Sequence, residues 1–167
     1  MNNFLSQEPY ISGNLFAEKK VAGVTFSALL GRSVREPSMN DLYYPMGGNE
    51  ELENETGYSI SIGGNYKGIS INYSHRDISN RIQWIQDSPG SYFYQASNIN
   101  RTTINSISAE GNLSFYNFSL NNQISLNWGK TEVFSGYGQS GERKTATFQA
   151  ENLPPVISIG RLSYNFK

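Results

Sequence analysis

Residues 31–55 read GRSVREPSMNDLYYPMGGNEELENE. Before this stretch, Val24, Phe26, Ala28 and Leu30 alternate with Thr25, Ser27, Leu29 and Gly31. After it, Tyr58, Ile60, Ile62, Gly64 and Tyr66 alternate with Ser59, Ser61, Gly63 and Asn65. A period of two puts successive side chains on opposite faces of a strand. The stretch itself breaks that period with Gly, Asn and Pro, so it reads as a long polar loop between two strands. It carries two adjacent aromatic residues, Tyr43 and Tyr44, and ends in an acidic run.

Working outward, the same alternation predicts about seven strands. They run Tyr10–Ala17, Ala22–Val34, Gly57–Tyr66, Ile69–Trp84, Phe93–Tyr116, Phe118–Phe134 and Thr145–Phe166. Their connections alternate in length. Glu18–Val21, Lys67–Gly68 and Asn117 are short; Glu36–Thr56, Ile85–Tyr92 and Lys130–Lys144 are long. In an antiparallel meander this puts every long loop at one rim, as in outer-membrane barrels. The expectation is Tyr43, Ile85 and Tyr137 at one rim, with Val21, Gly68 and Asn117 at the other.

The faces support a membrane reading. Ile107, Ala109, Gly111, Leu113 and Phe115 oppose Ser106, Ser108, Glu110, Asn112 and Ser114. Phe118, Leu120, Ile124, Leu126 and Trp128 oppose Ser119, Asn121, Gln123, Ser125 and Asn127. Tyr58 and Tyr66 would stand about 20 Å apart along a membrane normal, the spacing of two aromatic girdles. A soluble sandwich also alternates, but its strands are shorter and its solvent face carries more charge. Asn122 falls on the apolar face, and His75 and Asp77 share the parity of Ile69, Ile71 and Tyr73. Either a bulge near Ser74 resets that strand, or it has left the hydrocarbon by His75. In the last strand Ile157 and Ile159 oppose Leu162, Tyr164 and Phe166, and parity alone leaves the lipid-facing set open.

Composition narrows the function classes. The 167 residues carry a net charge of −1, which argues against nucleic acid as a partner. The mean hydropathy of −0.50 leaves no room for a transmembrane helix. Cys is absent, which excludes disulfides, thiolate nucleophiles and Cys-based zinc sites. The opening MNNFLSQEPYISG lacks the basic and apolar regions of a signal peptide.

No catalytic set, cofactor or metal site is expected. The single His75 lacks a second histidine partner, and Glu50, Glu51, Glu53 and Glu55 lack EF-hand spacing. FSGYGQSGERK carries Gly136, Gly138 and Gly141 but opens no helix that would bind phosphate. The Asn-x-Ser/Thr matches at Asn54, Asn72, Asn100, Asn112 and Asn117 follow from a chain rich in these residues. The loop aromatics are the better candidates. Tyr43, Tyr44, Trp84, Tyr92, Phe93, Tyr94 and Tyr137 gather at the long-loop ends, and polar Asn49 lies among them. Aromatic rings with polar neighbours suit a bulky ligand. As individuals they serve equally as girdle or loop-packing residues.

The run Arg35-x-Pro37-Ser38-x-Asn40-Asp41-Leu42-Tyr43, followed by Gly48-Asn49-x-x-Leu52, resembles the barrel of TonB-dependent outer-membrane receptors of the cobalamin and siderophore type. Tyr73, Asp77, Ile78 and Ile82 fit a later family strand, where Ser74 and Arg81 depart from it. Asn100 and Glu110 fit the next, with Ser108 in place of a glycine, and Pro154–Pro155 precedes a further family-like strand. The resemblance implies an all-β antiparallel up-and-down meander, part of a large barrel of 22 strands. It implies a bacterial outer-membrane location, contact with outer-membrane lipid, and a scarce nutrient ligand such as a metal chelate or corrinoid. It also implies coupling to TonB through a plug domain not in this chain, so residues 1–167 are expected to be a partial barrel that starts mid-barrel and lacks its last strands. Phe166 would otherwise imitate a barrel terminus. Two other readings remain: a soluble β-sandwich binding module, lectin-like, and a small self-contained outer-membrane barrel or adhesin.

Overall fold

The computed structural model describes residues 10–99, 101–150 and 153–165. Asn100 and Phe166 lie outside the described residues. The strands are β1 (Gly13–Val21), β2 (Val24–Arg35), β3 (Glu55–Tyr66), β4 (Ile69–Ser79), β5 (Ile82–Gln86), β6 (Tyr94–Asn98), β7 (Thr102–Phe115), β8 (Phe118–Tyr137), β9 (Arg143–Gln149) and β10 (Val156–Tyr164). One short helix, α1 (Met39–Tyr43), lies in the loop between β2 and β3. The main sheet runs β1-β2-β3-β4-β7-β8-β10, a seven-strand meander, with β9 pairing the outer half of β8. β5 and β6 form a separate hairpin.

Local chemistry makes the short turns. Ala22–Gly23 has φ of 49° and 84°, and Lys67–Gly68 has 48° and 83°. Two successive left-handed residues form the hairpin turn whose twist matches its strands, and glycine takes the second place without strain. The first turn is therefore Ala22–Gly23 rather than Glu18–Val21. Val21, Gly68 and Asn117 lie at the turn rim, opposite the long connections, as expected.

The cross-strand register decides the faces. Ala17, Ala28, Ile62, Tyr73, Ile107, Leu126 and Val156 are successive partners across the sheet. One residue along on most strands, the neighbouring row is Ser27, Gly63, Asn72, Ser108, Ser125 and Ile157. Polar side chains of the second face bond across strands: Ser61 to Asn72 (2.9 Å), Ser106 to Asn127 (2.7 Å) and Asn121 to Asn112 (2.7 Å). β7 also extends past its last pairing with β4, Ile69 with Gly111, through Asn112–Phe115. Such stagger is the shear of a sheet whose strands tilt around a barrel axis.

The two open parities now resolve. β4 pairs without a register shift on both sides, so no bulge occurs near Ser74. His75 and Asp77 stay on the apolar face, at its loop end. His75 Nδ1 meets Asn105 Oδ1 at 2.8 Å, and the Tyr73 hydroxyl donates to the same oxygen at 2.9 Å. In β10, Leu162 partners Leu120 and Tyr164 partners Phe118, so that set shares the apolar face. Ile157 and Ile159 partner Ser125 and Gln123 on the polar face. Asn122 lies outward between Gly111 and Gly160.

Other expected boundaries change. The segment Ile69–Trp84 breaks at Asn80, whose φ is 56°, and the chain leaves the sheet there as β5. Phe93–Tyr116 divides likewise into β6 and β7. Lys130–Lys144 is not a loop: β8 runs on to Tyr137 and turns back into β9, with a register shift between Phe134 and Gly136. The last segment splits because Pro154–Pro155, lacking backbone N–H donors, separates β9 from β10. Both still pair with β8.

The buried apolar cluster is small and sits outside the sheet, in the loops: Leu52, Ile82 and Ala96, with Leu42 and Trp84 against them. Among the described residues, no element covers the apolar face of the sheet. Leu113, Phe115 and Leu162 are each about 70% exposed (70%, 72% and 68%). A sandwich would bury this face against a second sheet, as the soluble reading requires.

Candidate ligand-binding site at the loop rim

The long connections fold onto one another. Ser38 caps α1: its hydroxyl accepts from Asp41 N (3.2 Å), while Asp41 Oδ2 accepts from Ser38 N (3.0 Å), a reciprocal capping box. The buried Asp41 also accepts from the indole N–H of Trp84 on β5 at 3.0 Å. Tyr44 meets Trp84 edge to face, with centroids 5.6 Å apart. Gly47 O accepts from Ala96 N at 2.9 Å, and Asn49 Nδ2 donates to Ala96 O at 3.1 Å. A Cβ at Gly47 would collide with the Tyr94 carbonyl oxygen, so only glycine permits this approach. Asn98 ties three segments, accepting from Glu53 N and donating to Glu53 O and Asn80 O. Asn80 donates to the Glu53 carboxylate, and Ile82 N to the Glu55 carboxylate. Finally, the Tyr137 hydroxyl at the end of β8 donates to Gln86 O at 2.7 Å. Residues near Tyr43, Ile85 and Tyr137 thus meet at one rim, and the loops form one cap.

The eight sequence candidates divide within this cap. Trp84, Tyr44, Asn49 and Tyr137 are engaged in holding it together. Tyr43, Tyr92, Phe93 and Tyr94 present exposed rings, and Tyr92 is 95% exposed. Sequence reasoning named Asp41 only as part of the family motif and Glu53 only in the acidic run, and it did not single out Asn80 or Asn98. For Asp41 a signal existed: Ser38 three residues before a carboxylate is a capping-box spacing. The others are joined only by chain folding.

Beneath the hairpin β5–β6, on the polar face of the sheet, lies a cavity of about 340 Å³. Ile78, Ile104, Val133 and Leu153 supply apolar walls, and Arg81 and Gln83 supply polar groups. Nearby, Thr102 and Thr131 bury their hydroxyls against each other at 3.3 Å. A larger hollow of about 890 Å³ faces outward beside Leu15, Leu30 and Ile60, on the apolar face.

Asp41 sets the cap's response to acid. Burial pushes its pKa up, but the Ser38 hydrogen bonds, the Trp84 indole and the Arg35 charge outweigh that and hold it below the usual carboxylate value. Its contribution is therefore complete above the unfolded carboxylate pKa of about 3.9 and is lost as pH falls through the lower folded value. Protection of the Gly47, Asn49 and Ala96 amides, relative to their intrinsic exchange rates, should be level from neutral pH to about pH 5 and should fall below about pH 4. Asp41→Ala should bring that loss of protection to neutral pH, since it leaves the Trp84 donor unpaired at a cost of about 1–3 kcal/mol. Exchange in β7 should not change. Unaltered loop exchange in the variant would refute the role of Asp41.

A two-faced, staggered meander with every long connection gathered at one rim is the geometry of an outer-membrane barrel wall. The family model for the TonB-dependent receptor-like β-barrel matches residues 20–165.

The chain belongs to the TonB-dependent receptor β-barrel family.

This receptor-barrel chain is 30% identical over 109 residues to a vitamin B12 transporter, BtuB, of Vibrio vulnificus (strain YJ016). That match covers 63% of the chain and 17% of the relative. Among solved structures it is similar to the copper transporter OprC, with a TM-score of 0.54 and 14% identity. The likeness covers 90% of this chain and 31% of that one, and at this identity it speaks for the fold alone. The receptor-barrel chain thus spans less than a third of each of these proteins.

Proposed function

We propose that this chain forms part of the wall and outer loops of a bacterial outer-membrane importer that takes up a scarce nutrient. The carrying observation is the cross-linked loop cap above a polar-faced sheet whose other face is apolar and uncovered. In this reading the apolar face contacts outer-membrane lipid, and the Ser- and Asn-rich face lines the lumen. The cap meets the nutrient, a metal chelate or corrinoid, through the exposed rings of Tyr43, Tyr92 and Tyr94. Tyr44, Asn49, Trp84 and Tyr137 hold those rings in place and border the ligand. TonB supplies energy through a plug domain elsewhere in the importer, and this chain performs no chemistry on its cargo. The names of the two similar transporters, one for vitamin B12 and one for copper, leave the cargo open.

The test is uptake by cells whose only copy of the full-length receptor carries Tyr43→Ala, Tyr92→Ala and Tyr94→Ala together. Labelled cyanocobalamin, ferric chelates and copper should be supplied in turn. At least one should enter through the wild-type receptor and require TonB. The triple variant should assemble normally and take up that cargo about tenfold more slowly, given about 0.5–1.5 kcal/mol per aromatic contact. Equal uptake with and without the receptor for every cargo would reject the importer reading.

A further inference from the structure

We propose that the cargo carries an anionic group, a carboxylate or phosphate, and that Arg76 and Arg81 hold that group at the lumen wall beneath the loop cap. This rests on the importer reading and concerns what the importer selects.

Arg81 lines the cavity beneath β5–β6 directly. Arg76 lies on the same face of β4 as Ile78, two residues away, and its cross-strand partner on β7 is Ile104. Both Ile78 and Ile104 line that cavity. The two guanidinium groups therefore belong to the lumen side of one short stretch of wall. Among the described residues neither has a hydrogen-bonded or ion-paired partner for its side chain.

Several nearby ionic groups are already engaged. Arg35 pairs with Glu55, and Arg101 pairs with Asp77 on the opposite, outward face. Glu53 accepts from Asn80, and Glu55 also accepts from Ile82 N. Asp41 is taken by Ser38 and Trp84. These acids are occupied in building the cap, to which Arg81 adds only its backbone carbonyl, accepting from Ile99 N at 2.9 Å; no side-chain bond of Arg76 or Arg81 joins it among the described residues. A guanidinium presents a planar fork of donors that matches carboxylate and phosphate. Charge of one sign at a low-dielectric wall focuses its field into the cleft and draws in the opposite charge. The apolar walls take the rest of the cargo, and about 340 Å³ is at the small end of ligand pockets. The pocket would thus hold one end of a large chelate or corrinoid rather than all of it.

Three probes separate the outcomes on the full-length receptor in detergent: ferric citrate, which is anionic; cyanocobalamin, which carries a phosphodiester; and ferrioxamine B, which is cationic. Binding is measured by equilibrium dialysis for wild type and for the double variant Arg76→Gln, Arg81→Gln. Heat-modifiable migration checks that the barrel assembles. Wild type should bind ferric citrate or cyanocobalamin and exclude ferrioxamine B. The double variant should lose about tenfold to a hundredfold in that affinity, as removal of charged hydrogen bonds requires, and the loss should shrink as salt rises. Preference for ferrioxamine B would overturn the inference. So would unchanged affinity in the double variant, with the importer reading left standing. Arginines that instead pair with acids elsewhere in the receptor would destabilise the barrel on substitution and weaken all bound probes equally, which also overturns it. A wild type that binds and imports none of the three overturns the inference together with the cargo classes proposed above.

Discussion

Ile62→Arg is expected to block assembly of the complete barrel. Ile62 stands midway between Tyr58 and Tyr66 on β3, and it is 50% exposed on the apolar face. Its cross-strand partners are Ala28 and Tyr73, and the row continues through Ile107 and Leu126. No carboxylate lies in that row to neutralise a guanidinium. An arginine at this depth costs about 2–4 kcal/mol in a membrane barrel. Ser61→Arg is the control. Ser61 partners Leu29 and Ser74 and bonds Asn72 at 2.9 Å, all on the polar face. Its loss removes one hydrogen bond, about 0.5–1.5 kcal/mol, and the new charge enters a polar lumen. Heat-modifiable migration in detergent should show the first variant unassembled and the second close to wild type. Equal behaviour would mean that the apolar face does not meet lipid.

The chain expressed by itself without detergent is expected to aggregate. Among the described residues the sheet ends at β1 on one side and at β10 with β9 on the other, each hydrogen-bonded on one side only. Unpaired strand edges recruit other chains, and a membrane sheet must close to satisfy its backbone. The uncovered face adds a second drive. Phe26, Ile62, Ile71, Leu113, Phe115 and Leu162 all project from it, each at least half exposed. Contiguous apolar surface of this extent exceeds what soluble monomers tolerate. The loop cluster around Leu52, Ile82 and Ala96 is too small to offset it. Light scattering after expression in plain buffer should show polydisperse material that detergent disperses. A monodisperse monomer with one cooperative melt would overturn the membrane reading and revive the β-sandwich.

Alternation, turns and the direction of each hairpin were legible in the sequence, because each is set by residues within a few positions. Thr25, Ser27, Ser59 and Ser61 declared the polar face, and Phe26, Ile60 and Ile62 the apolar one, since a strand's period of two is a local property. Lys67–Gly68 declared a turn because its left-handed second place suits glycine. The motif from Arg35 to Leu52 pointed to the receptor family, and residues 20–165 belong to it. Tertiary structure alone decided the rest. Whether Ile159 or Leu162 faces outward depended on pairing with Gln123 and Leu120, which parity does not specify in a strand that carries apolar residues at both parities. Asn80 turning β5 out of the sheet, and Asn98 gathering Glu53 and Asn80, depend on contacts between residues up to 45 positions apart. The exposed rings at the rim, and the arginines below it that have no side-chain partner among the described residues, have the same origin. Strand faces follow from backbone geometry repeated every two residues, whereas the cap exists only where distant donors and acceptors meet.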